Sequence, residues 1–186
     1  MTPPDELLDA LRECALLEGD FVLRSGKRSR WYLDKYRFET RPELLGPLGE
    51  LLADAASQAD PDATLLASPE LGAVALAASA SLASGLPFLI VRKAAKGYGT
   101  DKLVEGAYEP GARVCLIEDV VTSGGAALAA VDALRDAGLE CRSAVCVVDR
   151  GDGGVDALAR RAVRLHALWG AASLLEGTKT AAKPHR

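Results

Sequence analysis

The sequence predicts an α/β protein, a doubly wound parallel sheet preceded by a small N-terminal hood. Three observations carry that reading. Continuous apolar runs such as "ATLLAS", "RVCLIED" and "SAVCVVDR" suit strands covered on both faces. Segments of helical spacing alternate with those runs, the rhythm of a parallel sheet with crossover helices. A short basic stretch near the start, "FVLRSGKRSRWYLD", stands outside the rhythm and reads as a hairpin. A chain of 186 residues suits one compact unit with a small appendage, divided as 1–40 for the helix and hood hairpin and 41–186 for the core.

In order along the chain, apolar residues at 7, 8, 11, 15 and 16 recur with helical spacing, and Gly19 supplies a stop, so a helix is expected over about 4–17. Two extended runs follow, 21–24 and 30–34, joined by a turn at Ser25-Gly26-Lys27. After Arg41-Pro42 come a helix over about 42–57, a strand at 63–68, a helix over about 71–84 and a strand at 87–93. A polar glycine loop then leads to a strand at 113–119, a helix over about 124–137 closed by Gly138, a strand at 143–150, a short helix, a strand at 163–168 and a final helix. In open α/β sheets ligands bind beyond the carboxyl ends of the strands, at the point where strand order reverses. The segments to inspect are therefore 68–72, 92–106, 118–126 and 149–154.

Composition narrows the function. A net charge of −4 argues against a general nucleic-acid binder, which carries a basic face. No stretch has the roughly 18 apolar residues of a membrane span, and the acidic N-terminus lacks the pattern of a secretory leader. Cys14, Cys115, Cys141 and Cys146 show no CxxC spacing, which suits free thiols in a reducing compartment, so a cytoplasmic protein is expected. His166 lies in a strand-like run and His185 in the tail, so a His-built metal site is not expected.

The chemistry concentrates in "LIEDVVTSGGA", residues 116–126. Glu118 and Asp119 end an apolar run, and Thr122, Ser123, Gly124 and Gly125 precede a helix. Backbone N–H groups and hydroxyls at such a helix start can converge on an anion. Two acids pointing at that anion would repel it, but they would accept hydrogen bonds from a diol a short distance away. A sugar phosphate carries both groups. It is not a Walker loop, since GxxxxGK[ST] occurs nowhere, and "GYGTDK" lacks the third glycine of a dinucleotide fingerprint.

This stretch resembles the PRPP (5-phosphoribosyl 1-diphosphate) motif of the type I phosphoribosyltransferases, and most of all its form in the orotate phosphoribosyltransferases. The resemblance implies that Glu118 and Asp119 hold the ribose hydroxyls while Thr122 to Ala126 bind the 5′-phosphate, with Val120 and Val121 between them. "RKAAKGYG", residues 92–99, is similar to the family's mobile catalytic loop, in which cations face the departing diphosphate. Arg92, Lys93, Lys96 and Tyr98 are thereby candidate PRPP contacts, with Lys102 beyond them, although an isolated basic loop is ordinarily just solvated. Tyr98 stands where many relatives have histidine. Lys93, Lys96 and Asp119 are the candidate catalytic residues.

The hood is similar to the family's "SGxxSxxYxD" element, which implies that Arg24 contacts the base, with Ser25 to Lys27 and Tyr32 as weaker candidates. Many relatives carry lysine at Arg24; a guanidinium can still grip a carboxylate. "VVDR" ends a strand at Arg150, which the resemblance assigns with Arg24 and Thr122 to the orotate side. Glu70, Leu71 and Gly72 match the segment at the diphosphate. The expected reaction is transfer of ribose 5-phosphate from PRPP to orotate, giving orotidine 5′-monophosphate and diphosphate in de novo pyrimidine (UMP) synthesis. Mg²⁺ would be bound through PRPP with no direct protein ligand, and a homodimer would share loop 92–106 across its interface. The competing readings are transfer to another base, such as a purine, and a non-catalytic PRPP-sensing regulator on the same fold.

Overall fold

The computed structural model describes residues 5–22, 26, 28–94 and 102–176. Its elements are, in chain order, α1 (Asp5–Ala15), β1 (Leu16–Val22), β2 (Arg28–Leu33), α2 (Tyr36–Glu39), α3 (Pro42–Ala59), β3 (Leu65–Pro69), α4 (Val74–Ser84), β4 (Phe88–Val91), β5 (Val104–Glu105), β6 (Arg113–Val121), α5 (Gly125–Asp136), β7 (Glu140–Asp149), α6 (Gly154–Ala159), β8 (Arg164–Gly170) and α7 (Ala171–Glu176). The main sheet is six-stranded in the order β5-β4-β3-β6-β7-β8. All neighbours are parallel except β5, which pairs antiparallel with β4 at the edge through Ile90–Glu105 and Val91–Val104.

Alternation along the central strands divides two cores. Leu66, Cys115, Ile117, Val145 and Val147 face α1, α3 and α4, whereas Leu65, Ala67, Val114, Leu116 and Ala144 face α5 and α6. Each fully buried leucine or valine contributes about 1.5–3 kcal/mol by leaving water, and both faces are lined by such residues. The sheet is therefore doubly wound, as the sequence predicts. After β3 the chain steps to β4 on one side, and β6 then lies on the other side of β3. The strand order reverses between β3 and β6, which fixes the binding crevice at the carboxyl ends of those two strands.

The hood departs from expectation in register. Leu16 and Leu17, read as the end of the first helix, belong to β1, where they pair with Leu33 and Tyr32 of β2. The apolar spacing of Leu7, Leu8, Leu11 and Ala15 does bury one helical face, but the ladder to β2 takes over at residue 16. A bulge between Glu18 and Phe21 interrupts the β1–β2 ladder, and the Phe21 and Tyr32 rings pack with centroids 5.4 Å apart. Between hood and core lies the short α2, which brings Phe38 and Glu39 into the interior. Pro42 then opens α3 at its first turn, where no backbone donor is needed.

Candidate active site

Strand β6 carries the two acids. Expected at the strand's end, Glu118 and Asp119 lie inside it, because β6 continues to Val121 beside β7. They are 5% and 3% exposed. Burial first, and then the charge of Asp119, push the Glu118 carboxyl up to about 8. The Asp119 carboxylate pairs through Oδ2 with the Lys35 ammonium and accepts through Oδ1 from the backbone N–H of Val120. Glu39, 3% exposed at the end of α2, adjoins the same group. Its carboxyl is raised first by burial, then by the charge of Asp119 and a hydrogen bond to it.

Beyond β6 the loop of Thr122, Ser123 and Gly124 turns into α5. Thr122, Ser123, Gly125 and Ala126 are exposed and Gly124 is buried. Gly124 has φ of 81°, a left-handed conformation that a side chain resists, and its carbonyl accepts the first helical bond, from Leu128 N–H at 2.8 Å. The N–H groups that open α5 have no helical acceptor, so they face the loop with the helix dipole behind them. Residue type and geometry here suit an anion. Val121 is 2% exposed, so only its backbone is available; its carbonyl accepts from Arg150 N–H at 2.9 Å. The loop is backed by α6: Gly154 has no side chain where a Cβ would lie 2.6 Å from the Thr122 carbonyl oxygen.

The β3–α4 turn supplies the other wall of the crevice. The Glu70–Leu71 peptide is cis. Glu70 receives Lys93 N–H at 2.8 Å and lies 3.8 Å from the Arg92 guanidinium, which is also 3.8 Å from Glu105. Arg92, expected among free cations facing a diphosphate, is thus flanked by two acids, whereas the Lys93 and Lys102 side chains are exposed. Arg150 emerges from β7 into the turn before α6, 3.9 Å from Asp152. Lys96 and Tyr98 of the basic loop, and Arg24, Ser25 and Lys27 of the hood, lie outside the described residues.

Two residues that sequence reasoning missed, Lys35 and Glu39, stand at the centre. Their four-residue spacing puts them on one face of a helical turn directly after the hood, which is the signal that could have found them. Gly72, placed with the diphosphate segment, abuts both Lys35 and Asp119. Clefts of about 570 and 450 Å³ open at the amino ends of the strands, around Asp60 and Arg113, away from the acids and the anion loop. The crevice at the carboxyl ends holds the convergent chemistry, and we take it as the site. No group of three or more His, Cys, Asp or Glu among the described residues could hold a metal ion.

A buried acid pair on a central strand, followed by a glycine loop and a helix start at a sheet's reversal point, is the arrangement that a phosphorylated sugar would need. Residues 38–162 match the family described as the phosphoribosyl transferase domain, and the chain belongs to that family. Within it the chain falls among the orotate phosphoribosyltransferases. It is 45% identical over 172 residues to the orotate phosphoribosyltransferase of Methanocella arvoryzae, covering 91% of this chain and 96% of that one. It is similar in structure to the orotate phosphoribosyltransferase of Aeropyrum pernix, with a TM-score of 0.83 at 33% identity over 93% of this chain and 98% of that one. The Mycobacterium tuberculosis orotate phosphoribosyltransferase in complex with PRPP aligns with a TM-score of 0.77 at 30% identity, over 92% and 99% of the two chains.

Proposed function

We infer that the chain transfers ribose 5-phosphate from PRPP to orotate, forming orotidine 5′-monophosphate and diphosphate in pyrimidine synthesis. The observation that carries this reading is the unit from Glu118 to Ala126, with buried acids and exposed anion loop in one strand-to-helix passage at the reversal point of the sheet. One pentose phosphate spans the two parts, its hydroxyls toward the acids and its phosphate on Thr122 to Ala126. Asp119, ion-paired and in the strand, is the acceptor for ribose. Glu118, protonated below its raised pKa, can donate as well as accept.

No covalent nucleophile is needed. Displacement at ribose C1 requires that base and sugar be held in line and that charge growing on the departing diphosphate be stabilised. Lys93 and Lys96 supply cations for that charge, with Arg92 and Tyr98 beside them, and Arg24, Thr122 and Arg150 receive the orotate. Mg²⁺ bound through PRPP would add charge neutralisation, since magnesium usually keeps several waters and takes substrate phosphate oxygens. Resemblance to the family supports a homodimer in which loop 92–106 reaches the neighbouring site. No helix among the described residues is long and apolar enough to cross a membrane, and we place the reaction in the cytoplasm.

The test is a panel of bases under PRPP and Mg²⁺, followed by absorbance. Orotate should be consumed, while uracil, adenine and hypoxanthine should give less than about a hundredth of its rate, because a base without a carboxylate leaves the cations assigned to the base without their anionic partner. Consumption of a purine at the orotate rate would overturn the assignment of the base.

A further inference from the structure

The Asp119 carboxylate is already engaged on both oxygens within the chain, by Lys35 and by Val120 N–H. Lys35 lies 84 residues away in sequence, between β2 and α2, outside every motif that carries the family resemblance. Gly72 closes the arrangement: a Cβ there would collide with both Asp119 Oδ2 and Lys35 Nζ, so the pair as placed occupies the space that position 72 leaves free. Three separated segments thus meet at one carboxylate.

A plain staple between hood and core would also contain an ion pair, but two features exceed it. The Lys35 side chain is 34% exposed and that of Asp119 only 5%, so the ammonium borders solvent while the carboxylate sits behind it. Glu39 and Glu118 crowd the same carboxylate, and extra buried acids cost stability that a staple has no reason to incur. Burial alone would favour the neutral amine, but the hydrogen bond and charge of Asp119 outweigh it and the Lys35 pKa rises. The ammonium stays charged across the neutral range.

We propose that Lys35 is a positioning residue for phosphoribosyl transfer, holding the Asp119 carboxylate oriented toward the ribose hydroxyls, with Glu39 adjoining the same carboxylate. The proposal rests on the reading of Asp119 as the ribose acceptor. Since Lys35 acts through Asp119, its loss is felt by PRPP and not by orotate.

The experiment compares wild type, Lys35→Met, Lys35→Arg, Asp119→Asn and the Lys35→Met/Asp119→Asn double variant by calorimetric titration with PRPP and Mg²⁺ and by steady-state kinetics. Lys35→Met should weaken PRPP binding about tenfold or more, the scale of a hydrogen bond to a charged group, with the KM for orotate within about twofold. Lys35→Arg should recover most of that loss. Asp119→Asn should weaken PRPP at least as much, and adding Lys35→Met to it should change the affinity by less than about twofold, because the carboxylate that Lys35 serves is gone. Should Lys35→Met not fold, Lys35→Gln is measured in its place. PRPP affinity within twofold of wild type in the folded Lys35 variant, or full additivity in the double variant, would overturn the proposal. If Asp119→Asn itself binds PRPP as wild type does, the assignment of Asp119 fails; if only the Lys35 variant is silent, the positioning role alone falls.

Discussion

Gly154→Ala tests whether the anion loop is shaped from behind by α6. An added Cβ would lie 2.6 Å from the Thr122 carbonyl oxygen, 3.3 Å from Gly124 N, and closer still to a methyl of Val121. Ordinary contact begins at 3.4 Å, so the Thr122 carbonyl must retreat by about 0.8 Å (3.4 − 2.6) or α6 must move by as much. Overpacking of this kind costs about 1–3 kcal/mol. In a chain of this size that lowers the melting temperature by roughly 2–12 °C. The functional cost should be larger, since a misplacement approaching 1 Å costs on the order of a hundredfold in a preorganised site. The expected result is a 10- to 100-fold fall in kcat/KM for PRPP, by the same scale. Steady-state orotate consumption and a thermal melt read both quantities. A variant that melts and binds PRPP like wild type would refute the claim that α6 sets the loop.

Three other outcomes follow from named contacts. Arg150→Ala should raise the KM for orotate about tenfold or more and leave PRPP affinity intact, the loss expected when a charged partner of a carboxylate is removed; equal KM values in a steady-state comparison would take Arg150 out of the base site. Arg113→Met should destabilise the fold by about 3 kcal/mol in urea unfolding, because it strands the buried Asp60 that Arg113 pairs together with Asp62; a loss under about 1 kcal/mol would deny that pairing. Glu118 has its folded pKa raised from 4.5 to about 8, so the native state holds a proton the unfolded chain has released, and stability is full below pH 4.5 and lost as pH rises toward 8. The melting temperature of the ligand-free protein should therefore fall between pH 5 and 8, and Glu118→Gln should reduce that slope, with Glu39, raised in the same window, supplying the remainder; an unaltered slope in the variant would show that Glu118 does not contribute to it.

Much of the core is legible in the sequence because strands buried on both faces must be apolar throughout. The middles of β3, β6 and β7, residues 65–67, 114–117 and 144–148, are such runs, and the helices between them follow from spacing and glycine stops. The edge strand β5 escapes because two residues, Val104 and Glu105, make no pattern, and α2 escapes because four residues make barely one turn. Leu16 and Leu17 continue a helical spacing, yet pairing with Leu33 and Tyr32 assigns them to a strand, a choice only tertiary contact makes. In the site, the acid pair and anion loop are contiguous and can be read together. Lys35 and Glu39 show only as a pair at helical spacing and Gly154 shows nothing, since what each does depends on a group that the fold, not the chain order, brings beside it.

The central claim is that one sugar phosphate, spanning Glu118 to Ala126, is passed to orotate. Incubation of the purified protein with orotate, Mg²⁺ and PRPP labelled in the ribose, followed by mass identification of every labelled product, tests it directly. The account expects label in orotidine 5′-monophosphate with an equal amount of diphosphate released. Label remaining in PRPP, or recovered only as ribose 5-phosphate, would contradict it.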